Sequence, residues 1–316
     1  TDTSLSLGSD YNIFDLIPDH AKKLKINNPI ISNGDLEKIK YIDHKDFKAC
    51  SINANYEISK GHNGLEKALD SIIDKVEKKV DNDYNIIILS DKKTSKKYAP
   101  IPILLVCSYV HHSLIKRKKR SKFGIVIESA EPREPHHFSM LFGYGASAIN
   151  PYMVNEIIEY HHKLGFLNGQ KLDQSIGNFN KAIAKGILKV MNKIGISTLR
   201  SYRGAQIFEA LGLRQKFVNK YFNNTPSRIE GAGLYVLEKE ISSRMHHALN
   251  SEKDISSIKT GGDYRWRRDG EVHMLNPFTI SKLQQAVREE KYDTYKAYAE
   301  KINKQSEQFM TIRGLL

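Results

Sequence analysis

Apolar positions change their spacing in a regular way along this chain, and each change marks an element. From residue 64 to 80, Leu65, Leu69, Ile72, Ile73, Val76 and Val80 share one helical face with Lys and Glu opposite, which predicts an amphipathic helix. The next segment, Asn85-Ile86-Ile87-Ile88-Leu89-Ser90-Asp91, is continuously apolar, as expected of a strand buried on both faces of a parallel sheet. Phe123-Gly124-Ile125-Val126-Ile127-Glu128 repeats that pattern. Between the two, the run IPILLVCSYV opens a helix from Ile101 to about Arg117. A helix at 136–142, a short strand at 146–149 and a helix at 154–163 follow. A further helix then runs into the β-branched segment Ile196-Ser197-Thr198-Leu199, read as a strand, and the turn at 200–204 launches another helix. Strands near 86, 124, 147 and 196, each followed by a helix, predict an α/β fold of β/α repeats. Such repeats form a partial or barrel-like parallel sheet.

The flanks are less regular. Residues 1–48 are polar and turn-rich, with a turn and a capped short helix expected at 32–37 and a first strand at 49–52. Beyond Leu213, helices are expected at 215–222 and 229–249 around the turn Asn223-Asn224-Thr225-Pro226. A break falls at 260–264, a short polar hairpin at 264–271, and a helical tail of mixed charge covers 277–316. The division is therefore a β/α body, 1–262, and a helical C-terminal extension, 263–316.

Forty per cent hydrophobic and 27% charged residues place all 316 positions in ordinary globular territory. No apolar run approaches the roughly 20 residues that cross a bilayer, so no membrane association is expected. The N-terminal residues carry no secretory pattern, and two cysteines, Cys50 and Cys107, cannot build a disulfide framework or a four-thiolate metal site. Both features fit a cytoplasmic or plastid compartment. The net charge of +13 admits an anionic ligand, a nucleic acid or an acidic protein as partner. Its densest cluster, Lys116-Arg117-Lys118-Lys119-Arg120-Ser121-Lys122, reads as the cationic end of the preceding helix. It lacks the interleaved aromatics of a nucleic-acid footprint, and no nucleic acid is expected.

Candidate chemistry is sparse. Four adjacent histidine pairs (His111-His112, His136-His137, His161-His162, His246-His247) invite a metal reading. Neighbours on a helix diverge by about 100°, so each pair is expected to pack one ring inward and turn one to water. The loop Glu128-Ser129-Ala130-Glu131-Pro132-Arg133-Glu134 gathers carboxylates and a guanidinium at a strand's C-terminal end. Acid–base work is one reading; the favoured one is bracing, with Arg133 neutralising Glu128 or Glu131. Ser201, Arg203 and Gly204 precede an expected helix N-terminus and form a candidate anion cradle, without matching a phosphate-loop motif. Cys107 reads as a small core residue.

Several long segments, in order, resemble the central region of the glutamate synthase family. They are NIIILSD from residue 85 with APIPILL from 99, and GIVIESAEPREPHHF from 124 with GYGASAINPY from 143. KGILKVMNKIGISTLRSYRGAQIFEALGL from 185, YFNNTPSRIEGAGL from 221 and TGGDYRWRRDGEVHMLNP from 260 continue the match, and TIRGLL closes the chain. The resemblance implies a connecting domain, a cofactor-free β/α relative of the family's FMN barrel. Residues 1–262 would be the C-terminal part of that domain and 263–316 a helical linker toward the FMN-binding domain. The parent would carry an amidotransferase domain, FMN and an iron–sulfur cluster, and would make glutamate from glutamine-derived ammonia and 2-oxoglutarate. Its electrons would come from a ferredoxin or from a nicotinamide-dependent subunit or domain. The resemblance carries no catalytic, cofactor-binding or metal residue onto these positions. Glu128, Glu131, Arg133, Ser201, Arg203 and Gly204 remain as interface or anion-site candidates. A competing reading is an independent phosphate-binding β/α enzyme with Arg203 and Gly204 as anion site and Glu128 or Glu131 as base.

Overall fold

The computed structural model describes residues 2–12, 14–250, 265–268 and 270–308. It contains two compact units, 1–250 and 251–316. In the first unit, β1 (Leu5–Leu7) pairs antiparallel with β2 (Leu24–Ile26). Helix α1 (Asn33–Lys40) starts where the Ser32 hydroxyl accepts from the Asp35 amide, the cap expected from sequence. Next come β3 (Ala49–Asn53), β4 (Asn55–Glu57), α2 (Gly61–Asp81), β5 (Ile86–Ser90) and β6 (Tyr98–Pro100), which pairs antiparallel with β4. Then α3 (Ile103–Lys116), β7 (Gly124–Glu128), α4 (Pro135–Gly143), β8 (Ala148–Asn150) and α5 (Tyr152–Lys163) follow.

The order β3-β5-β7-β8, parallel throughout, sets each strand beside its predecessor in sequence. That progression is the one a β/α barrel uses, and it lacks the switch point of a doubly wound sheet. Among the described residues the sheet does not close, so the partial form is the one realised. Every residue of β5, β7 and β8 is buried, as their unbroken apolar runs require. Alternation divides them between two cores. Ile87, Leu89, Ile125 and Ile127 enter a large cluster with α2, α3 and α4, while Ile86, Ile88, Val126 and Ala148 meet Leu7, Ile26, Ile31, Leu36 and Ile39. The polar-looking N-terminal region thus covers the sheet's second face. Residues 29–31 also run along β8: the Ile149 amide donates to the Pro29 carbonyl at 2.8 Å and the Ile31 amide to Ile149 at 2.9 Å.

The remainder of this unit departs from the sequence reading. Helix α6 (Leu172–Ile194) ends at Gly195 with φ 82. Residues 196–199 form no sheet strand; only Thr198 bridges, and it bridges to Asp2. The Thr198 hydroxyl instead caps a single helical turn, α7 (Leu199–Tyr202), so the β-branched run is a cap approach. No helix follows Gly204. The chain runs irregularly to β9 (Ala210–Leu213), then α8 (Gln215–Tyr221), β10 (Ser227–Ala232) and α9 (Leu234–Asn250). The helix expected from residue 229 therefore begins at Leu234. β9 and β10 pair in parallel, and a Cβ on Gly231 would stand 2.5 Å from the Gly212 carbonyl oxygen, so that approach needs glycine.

The second unit is a helical hairpin, α10 (Pro277–Glu289) and α11 (Tyr292–Lys304), opened by a capping box between Asn276 and Thr279. The expected tail is helical there, and residues 309–316 lie outside the described residues. So do the break at 260–264 and part of the hairpin expected at 264–271; the described residues of that hairpin form no strand.

Gly124 shows how closely the two-sided packing is fitted. A Cβ there would fall 2.2 Å from Leu7 Cδ1 and 3.1 Å from its Cγ, and Leu7 is fully buried. Gly124→Ala should cost about 1–3 kcal/mol in urea unfolding, and most of that cost should vanish in a Leu7→Ala background. Additive losses would mean that Leu7 is not what restricts this position.

Candidate functional site

In β/α architectures chemistry gathers where strands end, and the loops following β5, β7 and β8 meet at that edge here. Asp91 directly follows β5 and is 1% exposed. Its carboxylate accepts from the Ser129 hydroxyl at 2.5 Å and from the Ala130 amide at 3.1 Å, with Tyr152 as a further donor. Burial raises its pKa above the usual carboxylate value, and those donors together only partly oppose the rise. Glu128, the last residue of β7, is 3% exposed and takes Lys40 of α1 at 2.9 Å. Lys40 also meets Glu37 at 2.9 Å, and despite desolvation these two carboxylates lift its pKa. Glu131 accepts from the Ile103 amide at 2.9 Å, placing a carboxylate on the first turn of α3, where Pro102 supplies no side-chain cap. Burial raises the Glu131 pKa, Asp91 adds to the rise, and Arg244 and Arg133 relieve part of it.

Each carboxylate therefore ties a loop or helix start to the sheet. Asp91 joins the β5 and β7 loops, Glu131 joins the β7 loop to α3, and Glu128 joins β7 to α1. Bracing is what the sequence favoured, but the cation on Glu128 is Lys40, and Arg133 acts on Glu131 without forming an ion pair among the described residues. The Arg133 side chain is exposed, and its backbone amide donates to His137 Nδ1 at 3.2 Å. Asn150 and Asn155 extend the network, both donating to Asn33 Oδ1, at 2.9 and 3.0 Å.

Ser201, Arg203 and Gly204 lie at the other end of the sheet. Arg203 donates to Ser147 Oγ at 2.7 Å, just ahead of β8, and the Gly204 amide donates to the Gly143 carbonyl at 2.9 Å. Ser201 belongs to the α7 cap, accepting from the Thr198 hydroxyl at 2.8 Å. Since no helix follows Gly204, the expected N-terminal anion cradle is absent. Beside this group Arg120 is half-buried, donating to His111 Nδ1 at 3.0 Å and to the Phe123 and Gly145 carbonyls at 2.7 and 2.8 Å. Burial, with Arg120 alongside, presses the His111 pKa down to about 2, so His111 stays neutral and accepts from the guanidinium. The β7 strand separates the two groups by about 13 Å at ~3.3 Å per residue. Glu128 and Arg203 do not share a site. A cleft of about 660 Å³ opens at this same end, lined by Asp10, Lys48, Asn85 and Lys122 among others.

Other candidates resolve structurally. His111 and His112 are both largely inside, whereas both rings of His161-His162 and of His246-His247 face water, so the one-in, one-out expectation fails for these pairs. Cys107 is fully buried, and burial pushes its thiol up to about 12. The basic cluster after α3 is largely committed: Arg117 pairs with Asp74 and Glu77, and Lys119 with Glu77 and Asp81 at 2.8 and 2.7 Å. Among the described residues no group of three or more His, Cys, Asp or Glu could hold a metal ion, and the chain's two cysteines do not fit an iron–sulfur cluster. No described helix is long and apolar enough to cross a membrane. Sequence reasoning missed Asp91, Ser129, Tyr152 and Lys40. The first two could have been noticed as polar residues directly after buried strands; Lys40 carried no such signal.

Residues 1–214 match the family described as glutamate synthase central domain. The chain is 36% identical to the glutamate synthase (NADPH) large chain of Bacillus subtilis, a match covering 94% of this chain and 19% of that protein. It is 34% identical to the glutamate synthase (NADH) of Schizosaccharomyces pombe, over 98% of this chain and 15% of that one. To the chloroplastic ferredoxin-dependent glutamate synthase of Oryza sativa subsp. japonica it is 32% identical, over 93% and 19%. The chain thus spans a minor part of the length of each of these relatives.

Two outcomes follow from the network. Lys40→Ala strands a buried carboxylate and should cost roughly 3–5 kcal/mol in chemical denaturation, much of it recovered in Lys40→Met/Glu128→Leu; no recovery would show that the pair is not what matters. Asp91 has a raised folded-state pKa, so its contribution is complete below the unfolded value near 3.8 and is lost as pH rises through the folded value. The stability advantage of the native protein over Asp91→Asn should therefore shrink from acidic to neutral pH in urea titrations. An advantage that grows would refute the direction of the shift.

Proposed function

Because this chain belongs to the glutamate synthase central-domain family, we propose that it is the connecting domain of such an enzyme. In this reading the parent makes L-glutamate from 2-oxoglutarate and glutamine-derived ammonia. The chain holds the amidotransferase and FMN-binding domains in fixed register and helps enclose the ammonia route between them. Residues 263–316 act as the linker toward the FMN-binding domain. FMN, the iron–sulfur cluster and the reacting groups belong to the neighbouring domains, and this segment is itself non-catalytic.

The observation that supports this reading is the sealed C-terminal edge of the sheet. An acid–base centre keeps a carboxylate within reach of substrate. Asp91, Glu128 and Glu131 are instead turned inward onto Ala130, Lys40 and Ile103. Such an edge makes the domain rigid: the helices it braces hold a fixed geometry, which suits a spacer between two catalytic modules. The relatives are named for NADPH, NADH or ferredoxin, which supports one of these as the parent's electron donor, and the chloroplastic relative supports a plastid setting beside the cytoplasmic one expected from sequence.

The isolated chain should hydrolyse no glutamine, form no glutamate and retain no flavin. In the complete polypeptide, Lys40→Gln should leave glutamine hydrolysis running while less glutamate forms per glutamine consumed, read as ammonia escaping to solvent. Turnover or bound flavin in the isolated chain would contradict the assignment, and so would unchanged coupling in a variant shown to have lost the Lys40–Glu128 pair.

A further inference from the structure

Above the inward-turned carboxylates, the same edge carries cations that form no ion pair among the described residues. Lys92, Lys93 and Lys96 stand exposed in the loop after β5. Lys92 lies 5.2 Å from the Tyr152 ring at the start of α5, which draws this loop across the edge. Arg133 is exposed on the β7 loop, and Arg244 of α9 is exposed and near enough to act on Glu131. The Asp91–Ala130 hydrogen bonds hold the two loops side by side. The carboxylates that could neutralise this rim are largely occupied. Glu128 is taken by Lys40 and Glu57 by Lys60 and Lys97, while Asp91 is buried beneath and Glu131, half-buried, is turned onto the Ile103 amide. Exposed Glu134 sits by His137 at 3.4 Å, and exposed Glu156 lies near Tyr152. Lys92, Lys93, Lys96, Arg133 and Arg244 have no ion pair among the described residues. Three different elements thus bring free positive charge to one edge of the sheet.

We propose that this rim is a docking surface for a separate acidic protein, engaged transiently through its carboxylates. Permanent interfaces are apolar at their centre, whereas 91–97 and 129–134 present lysine, arginine and small polar groups. Flexible, solvated lysines favour electrostatic steering and fast exchange. The aromatics beside these cations are Tyr152, which is buried, and the exposed Tyr98 next to Lys97, which do not make the row of stacking platforms that a single-stranded nucleic acid would favour.

The test uses the full chain and a fluorescently labelled poly-L-glutamate of about 20 residues, with an oligothymidylate of equal charge and inorganic tripolyphosphate as competitors. Lys92→Glu/Lys93→Glu/Lys96→Glu is compared with Lys67→Glu/Lys75→Glu/Lys78→Glu, which makes the same charge change on the exposed face of α2. The rim reversal should weaken polyglutamate binding about tenfold or more at low salt and the α2 reversal less than about threefold, with binding falling steeply as salt rises. Should the reversed rim variant melt early, Lys92→Gln/Lys93→Gln/Lys96→Gln should keep the fold and still weaken binding. Equal losses in the two reversals, unchanged binding in the glutamine variant, no polyglutamate binding at all, or tighter binding of the oligothymidylate or tripolyphosphate would each overturn the proposal.

Discussion

A carboxylate removed from water must find donors or give up its charge, and this sheet ends in buried carboxylates. Asp91 and Glu128 stand at the mouths of adjacent parallel strands, with Glu131 in the next loop, at a distance where their charges are felt by one another. Their donors come from different elements: a hydroxyl and an amide of the β7 loop, the ammonium of α1 and the first amide of α3. Meeting that electrostatic demand fixes how the loops cross the edge, and the fixed loops in turn position α1, α3 and α5 around the sheet. The N-terminal lace along β8 and the second core, in which α1 supplies Leu36 and Ile39 beside Leu7, cover the face of the sheet opposite α3.

The same constraint separates scaffold from chemistry. A catalytic β/α edge keeps its polar groups aimed at a ligand, whereas this edge aims them at its own backbone. What it presents to solvent is a cationic rim. At the opposite end the Arg120 and Arg203 guanidiniums are likewise turned onto carbonyls and a hydroxyl of the protein itself. A domain organised in this way is consistent with the connecting role proposed above.

The sheet and its helices were legible in the sequence because burial on both faces leaves a local signature. The runs at 86–90 and 124–128 could be little else, and the periodicity of α2 was unambiguous. Legibility failed where a local pattern had two outcomes. Ile196-Ser197-Thr198 looks like a strand, yet Thr198 serves as a helix cap. Residues 229–232 carry helix-compatible composition, but the close approach of Gly231 to Gly212 makes them a strand. The carboxylate loop after β7 was found, and its bracing role with it, but not its cation. Lys40 and Glu128 lie 88 positions apart, and nothing short of the fold joins them. The anion cradle at Arg203 failed for a related reason: it required a helix that tertiary packing of Ile207 and Phe208 against the main core replaced with irregular chain.

Amide hydrogen exchange at Ile103, Ala130 and Glu131 tests the sealed edge most directly. If carboxylates clasp these loops to the sheet, the Ile103 and Ala130 amides should exchange only through global unfolding, as slowly as those in the centre of β5. Fast exchange there, with β5 still protected, would describe an open and mobile active-site edge and would contradict the account.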